Sequence, residues 1–292
     1  MQEIIKILQE NNLYEENEKE IIVNKKEDFL RNYKINKGSK NKFPKHLKRN
    51  LAGFLVLDDE PFIISNKHIN NSESCFWILL TNGSRILLKD CSFKEMEKEL
   101  LFKELCKELD VSCANYDIIL MNGKTYLARP SFLSLNEYLY NYYGLTDNTQ
   151  IDLRKLIHDS KAIRQDFFVS KMLMIDILAQ NKNRFPDNFR VIKSPNQMKI
   201  CPLFNNGIQK DTSNNNIVIH GFYQNSEIIE YLMQDEIFKE WCFSKIISRS
   251  KPIPNFRETL LTEKGIYVDK HDSFRANIED GRVLALNAYK NS

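Results

Sequence analysis

Three asparagines in one stretch mark where this chain could do chemistry. Residues 181–207, NKNRFPDNFRVIKSPNQMKICPLFNNG, follow an apolar helical run and alternate loop, short strand, turn, short strand, loop. The chemistry served by such a pattern is phosphoryl transfer. Its first loop carries a base Asp with an Asn five positions later on a magnesium ion, and its second loop carries a metal-binding carboxylate. Asn188 has the required Asn identity, but position 183, five before it, is Asn183, and the second-loop position is Asn205. An amide has no basic oxygen to take a hydroxyl proton, and it offers a neutral dipole where magnesium favours an anionic oxygen. Asp187 and Asp211 are the nearest carboxylates, and both fall off the required spacing.

A second candidate pair lies upstream. Lys89 ends the strand-like run RILLK, and Glu99 sits about two turns into the helix that follows, where it can face back toward the strand. Lysines commonly end strands, and Glu99 is one of several glutamates in EMEKELLFKE. The pair therefore draws its weight from the downstream loops.

The elements that must position these residues are unusually legible around Lys89. CFWILLT (75–81) and RILLK (85–89) flank Asn82-Gly83, and a second hairpin, YDIIL-M-NG-KTYLA, turns on Asn122-Gly123. Asn-Gly between β-rich runs predicts a two-residue type I′ turn with positive φ at both positions. Between the hairpins, Ser92 with Glu95 forms a capping box, and Phe93, Met96, Leu100, Leu101, Leu105 and Leu109 keep helical spacing.

Outside this core the expectations are coarser. Residues 1–30 read as one or two short helices, and 53–57 and 61–65 as strands. Residues 33–49, YKINKGSKNKFPKHLKR, read as a basic, solvated connector, and 128–133 as a hinge. Helices are expected over 134–143, 147–158, 162–180, 226–248 and 273–289, with the tyrosines of 138–144 packing between lobes.

Taken together, RILLKD, the helix KEMEKELLFKELCKELDV, the hairpin ending in LARPSFL, the loop NKNRFPDNF and the segment ICPLFNNG resemble the HipA-like serine/threonine kinases. The resemblance is closest to their compact, cell-translocating (CtkA-like) branch. Motif-level likeness covers roughly residues 50–210, and beyond that it is architectural. It implies an α+β, two-lobed protein-kinase-like fold with a small antiparallel-sheet N-lobe, one helix in that lobe, and a mainly helical C-lobe. The division it implies is 1–50 as an extension, 51–130 as the N-lobe and 131–292 as the C-lobe.

The same resemblance implies the site. Lys89 would hold nucleotide phosphates, oriented by Glu99, under a loop containing Ser72 and Ser74. Position 183 would be the base, followed by Arg184. Asn188 and position 205 would hold magnesium. ATP and Mg²⁺ are the implied cofactors, with magnesium weakened by Asn205. The implied partners are ATP and a protein of unspecified identity, with autophosphorylation open to an active form. With amides at 183 and 205 the chain reads as inactive, either as an inactivated variant or as a natural pseudokinase that binds nucleotide or a partner.

Composition agrees with a globular chain and adds little else. With 42 basic and 39 acidic residues among 292, the charge balance argues for neither membrane nor nucleic acid as a partner. Six cysteines without a CxxC pair read as thiols, with Cys91, Cys106 and Cys201 in apolar patterns. The acidic amphipathic start does not read as a signal peptide, so a cytoplasmic location is expected, with export lacking a cleaved signal left open.

Overall fold

Two Asn-Gly turns organise the first part of the fold, and they do so differently. A computed structural model describes residues 1–14, 21–36, 41–65, 75–141, 153–162, 164–181, 190–204, 224–249 and 271–292. The chain divides into two units, Met1–Glu97 with Ala114–Tyr138, and Lys98–Cys113 with Leu139–Ser292.

The first unit is built on a seven-stranded sheet. Its strands are β1 (Ile21–Asn24), β2 (Leu55–Val56), β3 (Phe62–Ser65), β4 (Cys75–Leu80), β5 (Arg85–Lys89), β6 (Asp117–Met121) and β7 (Lys124–Pro130), in the order β1-β3-β4-β5-β7-β6-β2. All pairings are antiparallel except β2 with β6. At the β6–β7 turn both Asn122 (φ 51°) and Gly123 (φ 74°) are left-handed, as the sequence predicts.

The β4–β5 turn departs from that expectation. Only Gly83 is left-handed (φ 72°), Gly83 N–H donates to Leu80 O at 2.9 Å, and Leu80 N–H donates to Ser84 O at 3.0 Å. This is a three-residue loop closed by glycine. The reason is steric: a Cβ on Gly83 would lie 2.4 Å from Asn36 N and 2.6 Å from Lys34 O, because the 34–36 backbone runs directly against the turn. Lys34 N–H fixes that approach by donating to Thr81 O at 2.7 Å.

The sheet is buried on both faces, which explains why β5 is nearly continuous in apolar residues. Ile86, Leu88, Ile78 and Leu80 pack with Leu57, Ile119 and Ala128 on one side. Ile63 and Leu79 pack on the other under α1 (Gln2–Glu10) and α2 (Lys26–Asn32), through Ile4, Leu8 and Phe29. Residues 21–24, expected within a helical start, instead pair with β3. An Ile-Ile-Val run has strand character, and its partner lies some forty residues away, beyond local pattern.

The second unit is centred on α5 (Asp166–Leu178), in which every residue from Val169 to Leu178 except Lys171 is buried. A helix apolar all round belongs in the middle of a core. Against it lie the later part of α3 (Phe93–Glu108), through Phe102, Leu105 and Cys106, together with α4 (Leu153–Ala162), α6 (Asn225–Leu232), α7 (Glu236–Cys242) and α8 (His271–Asn291). Gly281 lets α8 approach closely: a Cβ there would meet Leu178 Cδ2 at 3.0 Å and Leu178 Cα at 3.2 Å.

A three-stranded sheet, β8 (Tyr138–Asn141), β9 (Arg190–Ser194) and β10 (Gln197–Ile200), completes this unit in the order β10-β9-β8. Residues 138–141 were expected in a helix, but they add a strand to β9. Tyr138 and Tyr140 are 56% and 41% exposed rather than packed, with Lys193 Nζ 5.9 Å from the Tyr140 ring. The single helix expected over 226–248 is broken. Asp235 caps α7 by accepting from Phe238 N–H at 3.0 Å, and residues 243–247 form a π-helical turn. Cys106, Cys201 and Cys242 are core thiols and Cys91 is half-buried; burial pushes the Cys242 thiol up to about 12. Among the described residues, no helix is long and apolar enough to cross a membrane.

Candidate active site

Lys89 stands at the end of β5, with β4 and β7 as neighbours, half-buried. Register places Cys75 on one side of it and Leu127 on the other. Successive side chains alternate faces, so Leu87 and Arg85 share the face of Lys89, and the next row across the three strands is Trp77, Leu87, Arg129. The Arg129 guanidinium lies 5.8 Å from the Trp77 ring and 4.9 Å from that of Phe132. One sheet face therefore presents a cation beside apolar side chains and an aromatic–guanidinium cluster roughly 6–7 Å further along the strand.

The sequence reading missed Trp77 and Arg129 as companions of Lys89. The signal was present, since counting outward from a hairpin turn fixes which residues of two strands share a face. The segment expected as a hinge continues β7 through Pro130. Ser131 N–H then donates to Arg85 O at 2.7 Å, and the Ser131 hydroxyl bridges locally to Leu133.

Helix α3 is held at both ends. At its start, Ser92 N–H donates to Glu95 Oε2 at 2.7 Å and Glu95 N–H to Ser92 Oγ at 3.3 Å, the expected capping box. At its end, Asp110 is left-handed (φ 53°) and Val111 N–H reaches back to Cys106 O at 2.8 Å. Three cations gather there, as a helix C-terminus favours. Lys171 donates to Asp110 O at 3.1 Å, Lys245 pairs with the Asp110 carboxylate, and Arg249 pairs with Glu108 at 2.9 Å. The hydrogen bond from Lys245 pulls the Asp110 carboxyl below its ordinary value, and burial lowers Lys171. Glu99 is 1% exposed on this helix. It belongs to the second unit and Lys89 to the first.

The remaining expected site residues, Asn183, Arg184, Asn188, Asn205, Ser72 and Ser74, lie outside the described residues. The described chain before the first asparagine-bearing segment, and between it and the second, is held by hydrogen bonds. Before the first, Asn181 is 3% exposed; its N–H donates to Asp176 O at 2.8 Å and its Nδ2 to Asp176 Oδ1 at 2.6 Å. After it, β9 and β10 form the expected hairpin, and Cys201 N–H donates to Arg190 O at 3.0 Å, so the hairpin closes on itself. Leu203 N–H then donates to Ser112 O at 2.9 Å, directly before Phe204 and position 205. Arg190 and Cys201, at the two open ends of the hairpin, are held side by side. Asp176, invisible as a functional position in an apolar helix, is the group that anchors the entry.

This is a kinase-like α+β fold, as the sequence resemblance implies. It is similar to the crystal structure of the Helicobacter pylori proinflammatory kinase CtkA, at 13% identity with a TM-score of 0.52, over 82% of this chain and 99% of that one. A Shewanella oneidensis HipA, solved with HipB and operator DNA, aligns at 11% identity and a TM-score of 0.45, over 94% of this chain and 72% of that one. No family model matches the chain, and no curated protein matches it.

Proposed function

We propose that the chain is a HipA-like, CtkA-like serine/threonine protein kinase by descent, divided into a nucleotide lobe and a helical lobe and catalytically inactive as written. Lys89 binds ATP phosphates on its sheet face, with Glu99 as its orienting carboxylate and the Ser72–Ser74 loop over the phosphates. Asn183 and Asn205 occupy the base and metal positions, with Arg184 and Asn188 beside them. The observation that supports this reading is the β9–β10 hairpin between positions 188 and 205, with Asn181 held by Asp176 before it and Leu203 held by Ser112 after it, in a fold shared with a kinase.

The residues fit ATP better than they fit magnesium. A half-buried lysine beside apolar walls suits a phosphate chain with an attached ring. Two neutral amides, Asn188 and Asn205, are a poor donor set for a hard dication. With Asn183 unable to accept a proton, the chain is left with nucleotide binding and positioning.

The amides also favour a second reading, a natural pseudokinase that acts by binding a partner. The test is to restore Asn183→Asp and Asn205→Asp together and incubate with radiolabelled ATP and magnesium. Labelled protein is expected from the restored chain and none from the parent. A restored chain that binds ATP yet stays unlabelled contradicts the lost-kinase reading and leaves the partner-binding one.

A further inference from the structure

At the opposite end of β5 from Lys89 lies a cavity of about 290 Å³, wholly within the first unit. Four residues of strand, roughly 13 Å, separate Lys89 from Arg85 in its lining. Its walls come from the 42–45 segment, the Asn82–Arg85 turn and the chain leaving β7. Among the described lining residues three are cations, Lys42, Lys45 and Arg85, and none is acidic.

Arg85 makes this more than a basic surface. It is 8% exposed, yet its guanidinium donates only to main-chain carbonyls, Leu133 O and Asn11 O, the latter at 3.3 Å. Among the described residues no carboxylate pairs with it; Tyr33 and, more weakly, Glu137 act on it as neighbouring groups, and Glu137 accepts from Ser134 N–H at 2.8 Å. Arginine is rarely buried without an anionic partner, because carbonyl dipoles replace only part of what water and a counter-charge supply. Lys42 and Lys45 are exposed and likewise lack a carboxylate partner among the described residues.

Two neutral donors complete the site. The Asn82 side-chain oxygen is engaged by Ser84 N–H at 3.0 Å, which leaves Nδ2, and the Ser84 hydroxyl has no protein acceptor among the described residues. The turn that carries them lies directly against the 34–36 backbone at Gly83. Phe43 and Pro130 add apolar wall.

We propose that this cavity binds a phosphate dianion, free or carried on a larger group, at the far end of β5 from Lys89. Three cations with amide and hydroxyl donors match a doubly charged tetrahedral group, and the volume leaves room for the group that bears it. The occupant is either a small free phosphate or a phosphorylated side chain of a peptide.

The experiment is calorimetric titration of the full chain at pH 8 and constant ionic strength, using inorganic phosphate, a phosphoserine peptide and its unphosphorylated parent. Phosphate binding is expected in the parent protein and in Lys89→Ala, and a loss of at least tenfold in Lys42→Glu/Lys45→Glu. Those lysines are exposed, so the variant keeps its core; Ser84→Ala provides a milder loss in the same direction. A phosphopeptide at least tenfold tighter than inorganic phosphate identifies a phosphorylated side chain as the occupant, and equal affinity identifies free phosphate. The proposal is overturned by absence of phosphate binding, by binding that survives the double charge reversal, by loss in Lys89→Ala, or by a parent peptide that binds as well as its phosphorylated form.

Discussion

Asn181 donates its side-chain amide to the carboxylate of Asp176 at 2.6 Å, with both residues buried. The bond holds the chain at the point where the first asparagine-bearing loop begins. Truncating one partner leaves the other buried with a missing hydrogen bond, which costs about 1–3 kcal/mol, more when the survivor is charged. Asn181→Ala is therefore expected to lose about 2 kcal/mol in denaturant unfolding. An unchanged midpoint would show that the loop entry is held by something else.

The two hairpin glycines make a sharper pair. Gly83 and Gly123 have nearly the same φ, 72° and 74°, but a Cβ at 83 collides with the 34–36 backbone while at 123 it meets nothing within 4 Å. Gly123→Ala should cost only the left-handed penalty, roughly 1–2 kcal/mol. Gly83→Ala adds displacement of the neighbouring chain and should cost clearly more. Equal losses in thermal unfolding would contradict the close approach.

Those turns also show what local pattern reveals and what it does not. Asn-Gly flanked by β-rich runs located both hairpins, and Ser92 with Glu95 located the start of α3, because each signal lies within a few residues of the structure it makes. The turn type at 82–83 depends on Lys34 and Asn36, which no local window includes. Strands β1 and β8 were read as helix for a similar reason: their partners, β3 and β9, lie far along the chain. The position of Lys89 at the end of a strand was legible from the turn before it, whereas the contact of Asp176 with Asn181 was hidden inside an apolar helix. The loops holding Asn183, Asn188 and Asn205 rest on sequence spacing and on the anchored residues at their edges.

The ion pair at the end of α3 gives a pH signature. Lys245 lowers the folded-state value of Asp110 below its unfolded value near 4, so the pair stabilises the fold above about pH 4 and that contribution fades as pH falls through the lowered value. Asp110 is mostly exposed, and solvent screening limits the effect to at most roughly 1 kcal/mol. Asp110→Asn keeps a residue tolerant of left-handed φ and removes the charge. The difference between parent and variant should be constant at neutral pH and vanish in acid. A difference that grows on acidification would refute the assignment.

In the proposed nucleotide site Lys89 holds the phosphates and Asn205 stands at the metal position in place of a carboxylate. Thermal-shift titration with ATP, with and without magnesium, on the parent, Lys89→Ala and Asn205→Asp chains, tests it most directly. ATP at about a hundred times its dissociation constant should stabilise the parent by about 2.7 kcal/mol. That stabilisation should depend little on magnesium, disappear in Lys89→Ala and become magnesium-dependent in Asn205→Asp. No stabilisation of the parent by millimolar ATP under either condition, or stabilisation that Lys89→Ala leaves intact, would contradict the account.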